Sequence, residues 1–160
     1  MSTQRTMAGG WADRASLPKG ESGRNLCRWC NLEVPKRRIT FCSEWCVAEW
    51  RLRTDPGYVR ERVYARDKGV CALCRVDCEA AWQNLRRLRG AARLKLLREW
   101  GLKPGWRKSL WDADHIVPVV EGGGDCGLEN IRTLCLKCHR VATQELSKRR
   151  AAAFAGRKQC

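Results

Sequence analysis

Asp114-His115-Ile116-Val117-Pro118-Val119, a Gly122-Gly123-Gly124 turn, and Glu129-Asn130-Ile131-Arg132-Thr133-Leu134-Cys135-Leu136-Lys137-Cys138-His139 follow one another near the end of the chain. Two short apolar runs, 113–120 and 130–134, flank the triple glycine, which is the pattern of a hairpin with a long loop. A helix is expected to begin near Lys137 and to run through Ala151, so the local order is strand, strand, helix. The second run ends in Cys135-x-x-Cys138, a spacing that lets one short turn present two thiolates to a single tetrahedral zinc. A matching Cys71-x-x-Cys74 stands sixty residues upstream. One zinc held by all four would close that long loop; the bland alternative is two unrelated reduced cysteine pairs.

Upstream, Ser43 is placed to cap a helix running to Arg53. Asp55 and Pro56 form the cap and first turn of another, with Val59 and Val63 at i and i+4 and Gly69 as its stop. The segment from Glu79 to Trp111 reads as helix broken at Gly90 and ended by Gly101 to Gly105. It places Leu85, Leu88 and Ala92 on one stripe and Arg86, Arg89 and Arg93 on another. Those arginines form either a solvated helix face or a DNA contact. Trp82, Trp100, Trp106 and Trp111 are expected to pack this insert onto the core rather than stack on bases. Nearer the N-terminus, Cys27-x-x-Cys30 and Cys42-x-x-x-Cys46 make a second quartet whose last spacing is helical, so both thiols face one side. The alternative is a loose cysteine cluster without metal. Cys78, Cys126 and Cys160 have no matched partner, and residues 1–24, without periodicity, read as a mobile arm in which nothing fixes Trp11.

The chain has 160 residues, enough for one domain or a small domain with an appendage. Its eleven cysteines exclude complete disulfide pairing. The polar stretch 1–14 lacks the apolar centre of a signal peptide, and no segment reaches the roughly 18 to 20 apolar residues of a spanning helix. An intracellular setting, cytoplasmic or nucleoid-associated, is therefore expected, and there short regular cysteine spacings indicate zinc rather than disulfides. The 32 Lys and Arg against 17 Asp and Glu give +15. Two tetrathiolate zinc sites, each net −2, would leave about +11. Such a surplus calls for a polyanionic partner, most simply DNA; charge alone does not separate DNA from RNA, and no strongly apolar helix face supports a membrane surface. The charge is segregated: +7 over residues 79–111, +5 over 140–160, and −3 over 112–139. An acidic pocket between basic arms suits metal-dependent phosphodiester chemistry, with carboxylates holding the cation and the arms holding the polyanion.

The string Asp-His-Ile-Val-Pro-Val, the glycine turn and Glu-Asn-Ile-Arg-Thr-Leu-Cys-Leu-Lys-Cys-His resemble the HNH nuclease motif, whose fold is the ββα-metal hairpin and helix. The resemblance covers roughly residues 71–145. More narrowly, Phe41-Cys42-Ser43, Tyr58-Val59-Arg60, Gly69-Val70-Cys71 and the 113–143 region are similar to the C-terminal HNH domain of a vertebrate Swi/Snf-type annealing helicase, here expected as a stand-alone module. The resemblance implies Asp114 and His139 as ligands of a catalytic divalent metal, Mg2+ or Mn2+, His115 as general base, and Asn130 as the brace of the hairpin loop that orients that base. The chemistry agrees: an imidazole with an ordinary pKa of about 6.5 is mostly free to take a proton at pH 7. A cation held by one carboxylate and one imidazole also keeps open positions for a phosphate oxygen.

The expected fold is α+β: a ββα-metal core with its own structural four-cysteine zinc (Cys71, Cys74, Cys135, Cys138), an N-terminal four-cysteine zinc module (Cys27, Cys30, Cys42, Cys46) and a helical insert. The expected division is an arm at 1–24, the zinc module at 25–54, the nuclease domain at 55–150 with the basic insert at 79–111, and a basic tail at 151–160. The function implied is metal-dependent hydrolysis of DNA, leaving 5′-phosphate and 3′-hydroxyl ends. The competing readings are a non-catalytic zinc-stabilised DNA-binding module and a thiol redox protein; the first is opposed by the joint presence of Asp114, His115 and His139.

Overall fold

The computed structural model describes residues 12–105 and 107–157. Trp11, Trp106 and Cys160 lie outside them. At its centre β1 (Trp111–His115) pairs antiparallel with β2 (Ile131–Cys135), Trp111 opposite Cys135 and His115 opposite Ile131. Alternation along the strands gives the ribbon two faces. Trp111 and Thr133 lie on one face, Asp112, Asp114, Arg132 and Leu134 on the other.

Helix α2 (Pro56–Asp67) covers the first face. Tyr64 stacks on Trp111 with ring centroids 6.1 Å apart, and the Arg60 guanidinium sits 3.6 Å from the Trp111 ring centroid while donating to the Trp111 carbonyl at 3.0 Å. Asp67 accepts from both the amide (3.1 Å) and the hydroxyl (2.9 Å) of the fully buried Thr133. A buried hydroxyl without such a partner would cost about 1–3 kcal/mol. Helix α5 (Leu136–Arg157) leaves directly from the end of β2 and covers the second face. The result is strand, strand and helix in the expected order, with α2 as an added layer.

The first strand starts and stops earlier than its apolar run. Pairing begins at Trp111 and ends at His115, while Ile116, Val117, Val119 and Val120 are exposed. Pro118 cannot donate to a ladder, and Asn130 occupies both backbone groups of Val117, so residues 116–130 form a loop with short 3-10 turns at Val119–Glu121, Gly123–Asp125 and Leu128–Asn130. The helix caps fall close to where the residues place them. Ser43 accepts from the Cys46 amide to start α1 (Glu44–Thr54), and Asp55 accepts from the Tyr58 amide at α2. Helix α2 stops at Lys68, which itself takes the left-handed conformation (φ 53°) ahead of Gly69.

The insert is two helices, α3 (Cys78–Arg87) and α4 (Gly90–Glu99), so no single stripe runs from Leu85 to Ala92. Leu85 is buried, but Ala92 is exposed, and α4 turns Leu97 and the following Trp100 inward instead. Gly90, at φ 54°, sets this change of direction. Trp100 and Trp111 are buried in the core and Trp82 packs against it, so the insert is part of the central cluster with Val63, Leu110 and Leu134. The arm also differs from expectation from Asp13 onward. Leu17 is buried, Pro18 accepts from the Leu26 amide, Lys19 donates to Asn25 at 2.5 Å, and Ser22 bonds to Glu33. These contacts fasten residues 17–24 to the cysteine module, whose small core is Cys27, Val34 and Cys46.

Candidate active site

Asp112 and Asp114, two apart on β1, face the first turn of α5, where His139 stands. His139 Nδ1 lies 3.0 Å from Asp112 Oδ2, and its Nε2 lies 3.6 Å from Asp114 Oδ1. The other Asp114 oxygen is 3.4 Å from the Arg132 guanidinium, its cross-strand neighbour. Arg107 donates to both oxygens of Asp112, at 2.8 and 3.0 Å. His115 closes β1 beside this group. Together with His139 it lines two clefts, one along α5 with Thr143 and Arg149, the other under the α1–α2 corner with Asp55, Arg60 and Arg107.

The loop is held by one residue. Asn130 is buried; its Oδ1 accepts from the Val117 amide at 2.8 Å, and its Nδ2 donates to the carbonyls of Val117 and Gly123, both at 3.0 Å. A Cβ at Gly123 would collide with the Val117 carbonyl, so only glycine lets the loop close this tightly. The backbone carbonyl of Asn130 also accepts from the Ile116 amide at 2.7 Å, immediately after His115.

Both cysteine quartets are assembled. Within each, the four Sγ atoms lie within 4.8 Å of one another. Cys30 to Cys42 is 3.5 Å, Cys42 to Cys46 is 3.4 Å, and Cys74 to Cys135 is 3.7 Å. A zinc bound at about 2.3 Å by four sulfurs separates them by about 3.8 Å, so both quartets can hold the ion. Burial pushes the Cys71 thiol up, but the backbone amides of Cys135, Cys74 and Leu73 outweigh it and bring the group down to about 6. Burial is likewise overcome at Cys27 by the amides of Cys30, Cys42 and Trp29, to about 7. Cys46 is pushed up to about 12 by burial first, then by the neighbouring thiols, and burial also raises Cys138. Cys71 is thus set against the raised Cys135 and Cys138, and Cys27 against the raised Cys30 and Cys46, a conflict that a dication resolves. Cys78 is buried beside the second quartet, and burial with the adjacent thiolates holds it up at about 12 as an inert core thiol.

The three insert arginines are not equivalent. Arg86 is exposed; Arg89 donates to the carbonyls of Arg86 (2.7 Å) and Leu88 (3.1 Å); Arg93 is half-buried and donates to Leu85 at 2.5 Å, tying α4 to the end of α3. The residues that sequence reasoning passed over are Asp112, Arg107 and Arg132. The Asp-x-Asp-His spacing was available as a signal for Asp112, because i and i+2 on a strand share a face.

A family model described as HNH endonuclease matches residues 102–145. The human ZRANB3 HNH domain, a solved crystal structure, is 34% identical and is matched over 94% of its length and 61% of this chain, with a TM-score of 0.49. This chain belongs to the HNH endonuclease family. The HNH stretch in it contains β1, the braced loop, β2 and the start of α5, which carry Asp114, His115, Asn130 and His139. Among full-length relatives, the DNA annealing helicase and endonuclease ZRANB3 of Mus musculus is 33% identical over 153 residues, covering 82% of this HNH chain. The Homo sapiens protein is 36% identical over 124 residues, covering 69%. The chain spans only 14% and 11% of those two proteins. Among the described residues, no helix of this HNH protein is long and apolar enough to cross a membrane.

Proposed function

We propose that this HNH protein is a metal-dependent DNA endonuclease that hydrolyses phosphodiester bonds by a one-metal mechanism. The observation that carries the reading is one cleft along α5 that Asp114, His115 and His139 all line. Asp114 Oδ1 and His139 Nε2 lie 3.6 Å apart, close enough for small side-chain shifts to bring both onto one cation. Asp114 and His139 would hold Mg2+ or Mn2+, which when bound supplies positive charge to the scissile phosphate and its leaving oxygen.

His115 takes a proton from the attacking water as the water oxygen bonds to phosphorus and the P–O3′ bond breaks, and the departing O3′ takes a proton from solvent water, leaving a 5′-phosphate and a 3′-hydroxyl. Asn130 keeps the loop after His115 fixed, so the base does not wander from the phosphate. Arg132 engages the second Asp114 oxygen and leaves the first turned to His139. The two quartets each hold a structural zinc. Arg86 and Arg89 are exposed and able to meet the DNA backbone, while Arg93 supports them from within; RNA remains a second polyanion of the right charge. The setting proposed is intracellular, where thiols stay reduced.

The reading is tested by incubating the protein with supercoiled plasmid under Mg2+ or Mn2+, beside His115→Ala. Wild type should cleave, and His115→Ala should keep DNA affinity and fold while losing cleavage. Equal cleavage by both removes the general base. Binding without cleavage by wild type under every divalent metal favours the non-catalytic DNA-binding module.

A further inference from the structure

His139 is gripped from both sides. Its Nε2 turns to Asp114, while its Nδ1 lies 3.0 Å from Asp112 Oδ2, at ordinary hydrogen-bond length. Asp112 is not free to turn elsewhere, because Arg107 donates to both of its oxygens at 2.8 and 3.0 Å. It is also well covered, with its side chain 21% exposed. A carboxylate is acceptor-only, so the Nδ1 facing it must carry the proton, and a neutral imidazole protonated there has its lone pair on Nε2. That lone pair is what a metal requires.

Resting on the metal-site reading above, we infer that Asp112 is the positioning residue of the catalytic site: it fixes His139 in the Nδ1–H tautomer and aims Nε2 at the cation held with Asp114. Arg107 is the clamp that keeps Asp112 in place. This gives the end of the insert a specific task. The chain returning from α4 delivers Arg107 to β1, so the insert reaches the site through this ion pair rather than through its exposed arginines. A carboxylate behind a ligating imidazole also raises its basicity, and loss of such a partner typically costs 10- to 100-fold in metal affinity.

The chain has two histidines, so imidazole spectra are simple to assign, with His115→Ala removing one set. Two-bond 1H–15N correlations on the whole protein, without added divalent metal at mildly alkaline pH, should show His139 protonated on Nδ1. Mn2+ affinity, measured by calorimetry, should fall about 10- to 100-fold in D112N, whose amide offers one acceptor to the two donors His139 and Arg107. Arg107→Gln should produce a smaller loss in the same direction, since Asp112 remains. Wild-type His139 protonated on Nε2, or D112N taking up Mn2+ with wild-type affinity, overturns the role of Asp112 alone. Wild-type protein that takes up no Mn2+ refutes the metal site itself, and the positioning role falls with it. The tautomer is read in the wild type, so poor folding of D112N does not remove the test.

Discussion

Asn130→Ala removes three hydrogen bonds at once: the acceptor for the Val117 amide and the donors to the Val117 and Gly123 carbonyls. At a net 0.5–1.5 kcal/mol each, their sum is about 3 kcal/mol. Val117 is 44% exposed, so its freed groups recover part of this from water, and about 2 kcal/mol is the expected loss. Asn130→Asp should be no milder. It keeps the acceptor for the Val117 amide but aims a carboxylate at two carbonyl oxygens. Urea unfolding should show a lower midpoint at unchanged slope, since the core is untouched. Hydrogen exchange should show the Val117 amide losing its protection, with Thr133 and Leu134 in β2 still protected. Cleavage should fall more steeply than stability, because the loosened segment begins next to His115. An Asn130→Ala protein with wild-type protection at Val117 and a stability change under about 0.5 kcal/mol would refute the brace.

Elemental analysis should give about two zinc ions per chain, and Cys135→Ser should unfold the core; a well-folded Cys135→Ser protein lacking that zinc would sink the assignment. R86Q with R89Q should shallow the slope of log K against log salt by up to about 1.8, whereas Arg93→Gln should lower stability with little change in slope, as its guanidinium is bonded to Leu85. An unchanged slope in the double variant would turn attention to the basic stretch beyond Arg140. The Arg66 guanidinium holds the Asp67 carboxyl below the usual range against burial, with Thr133 adding to the effect. A depressed native pKa makes that stabilisation present above the ordinary carboxylate range and lost as pH falls through it, below about pH 4. Asp67→Asn should therefore be less stable than wild type at pH 7, by about 2 kcal/mol, with the gap narrowing in acid denaturation scans. A constant gap from pH 7 to pH 2 would deny the carboxylate this role.

Features written in short spacings were legible. The spacings inside each cysteine pair and the Ser43 and Asp55 caps depend on residues a few positions apart and are found where the residues place them, and the order strand, strand, helix holds as well. The strand limits were not legible, because Ile116, Val117, Val119 and Val120 look like strand and are exposed, while Trp111 and Asp112 look like its approach and are paired. Their fate is set by Asn130, thirteen residues from Val117 along the chain. The stripe through the insert failed for a local reason, the left-handed Gly90. Asp112 stood in the acidic charge count with no task, since its partner lies 27 residues away and meets it only when α5 folds back over β1.

Cys138 and His139 are adjacent in the first turn of α5, and Cys135 ends β2 three residues before. A thiol-directed oxidant or a strong chelator would strip the proposed zinc from the quartet and, in the same turn of helix, pull the imidazole away from both aspartates. On the proposed mechanism, inactivation by such reagents would have two routes, of which only simple removal of the proposed catalytic cation would be reversed by adding the divalent metal back. Chelation would then be a poor way to learn which divalent ion the proposed hydrolysis uses, and cleavage would follow the thiol state of the surroundings through Cys138, the neighbour of His139 in the chain.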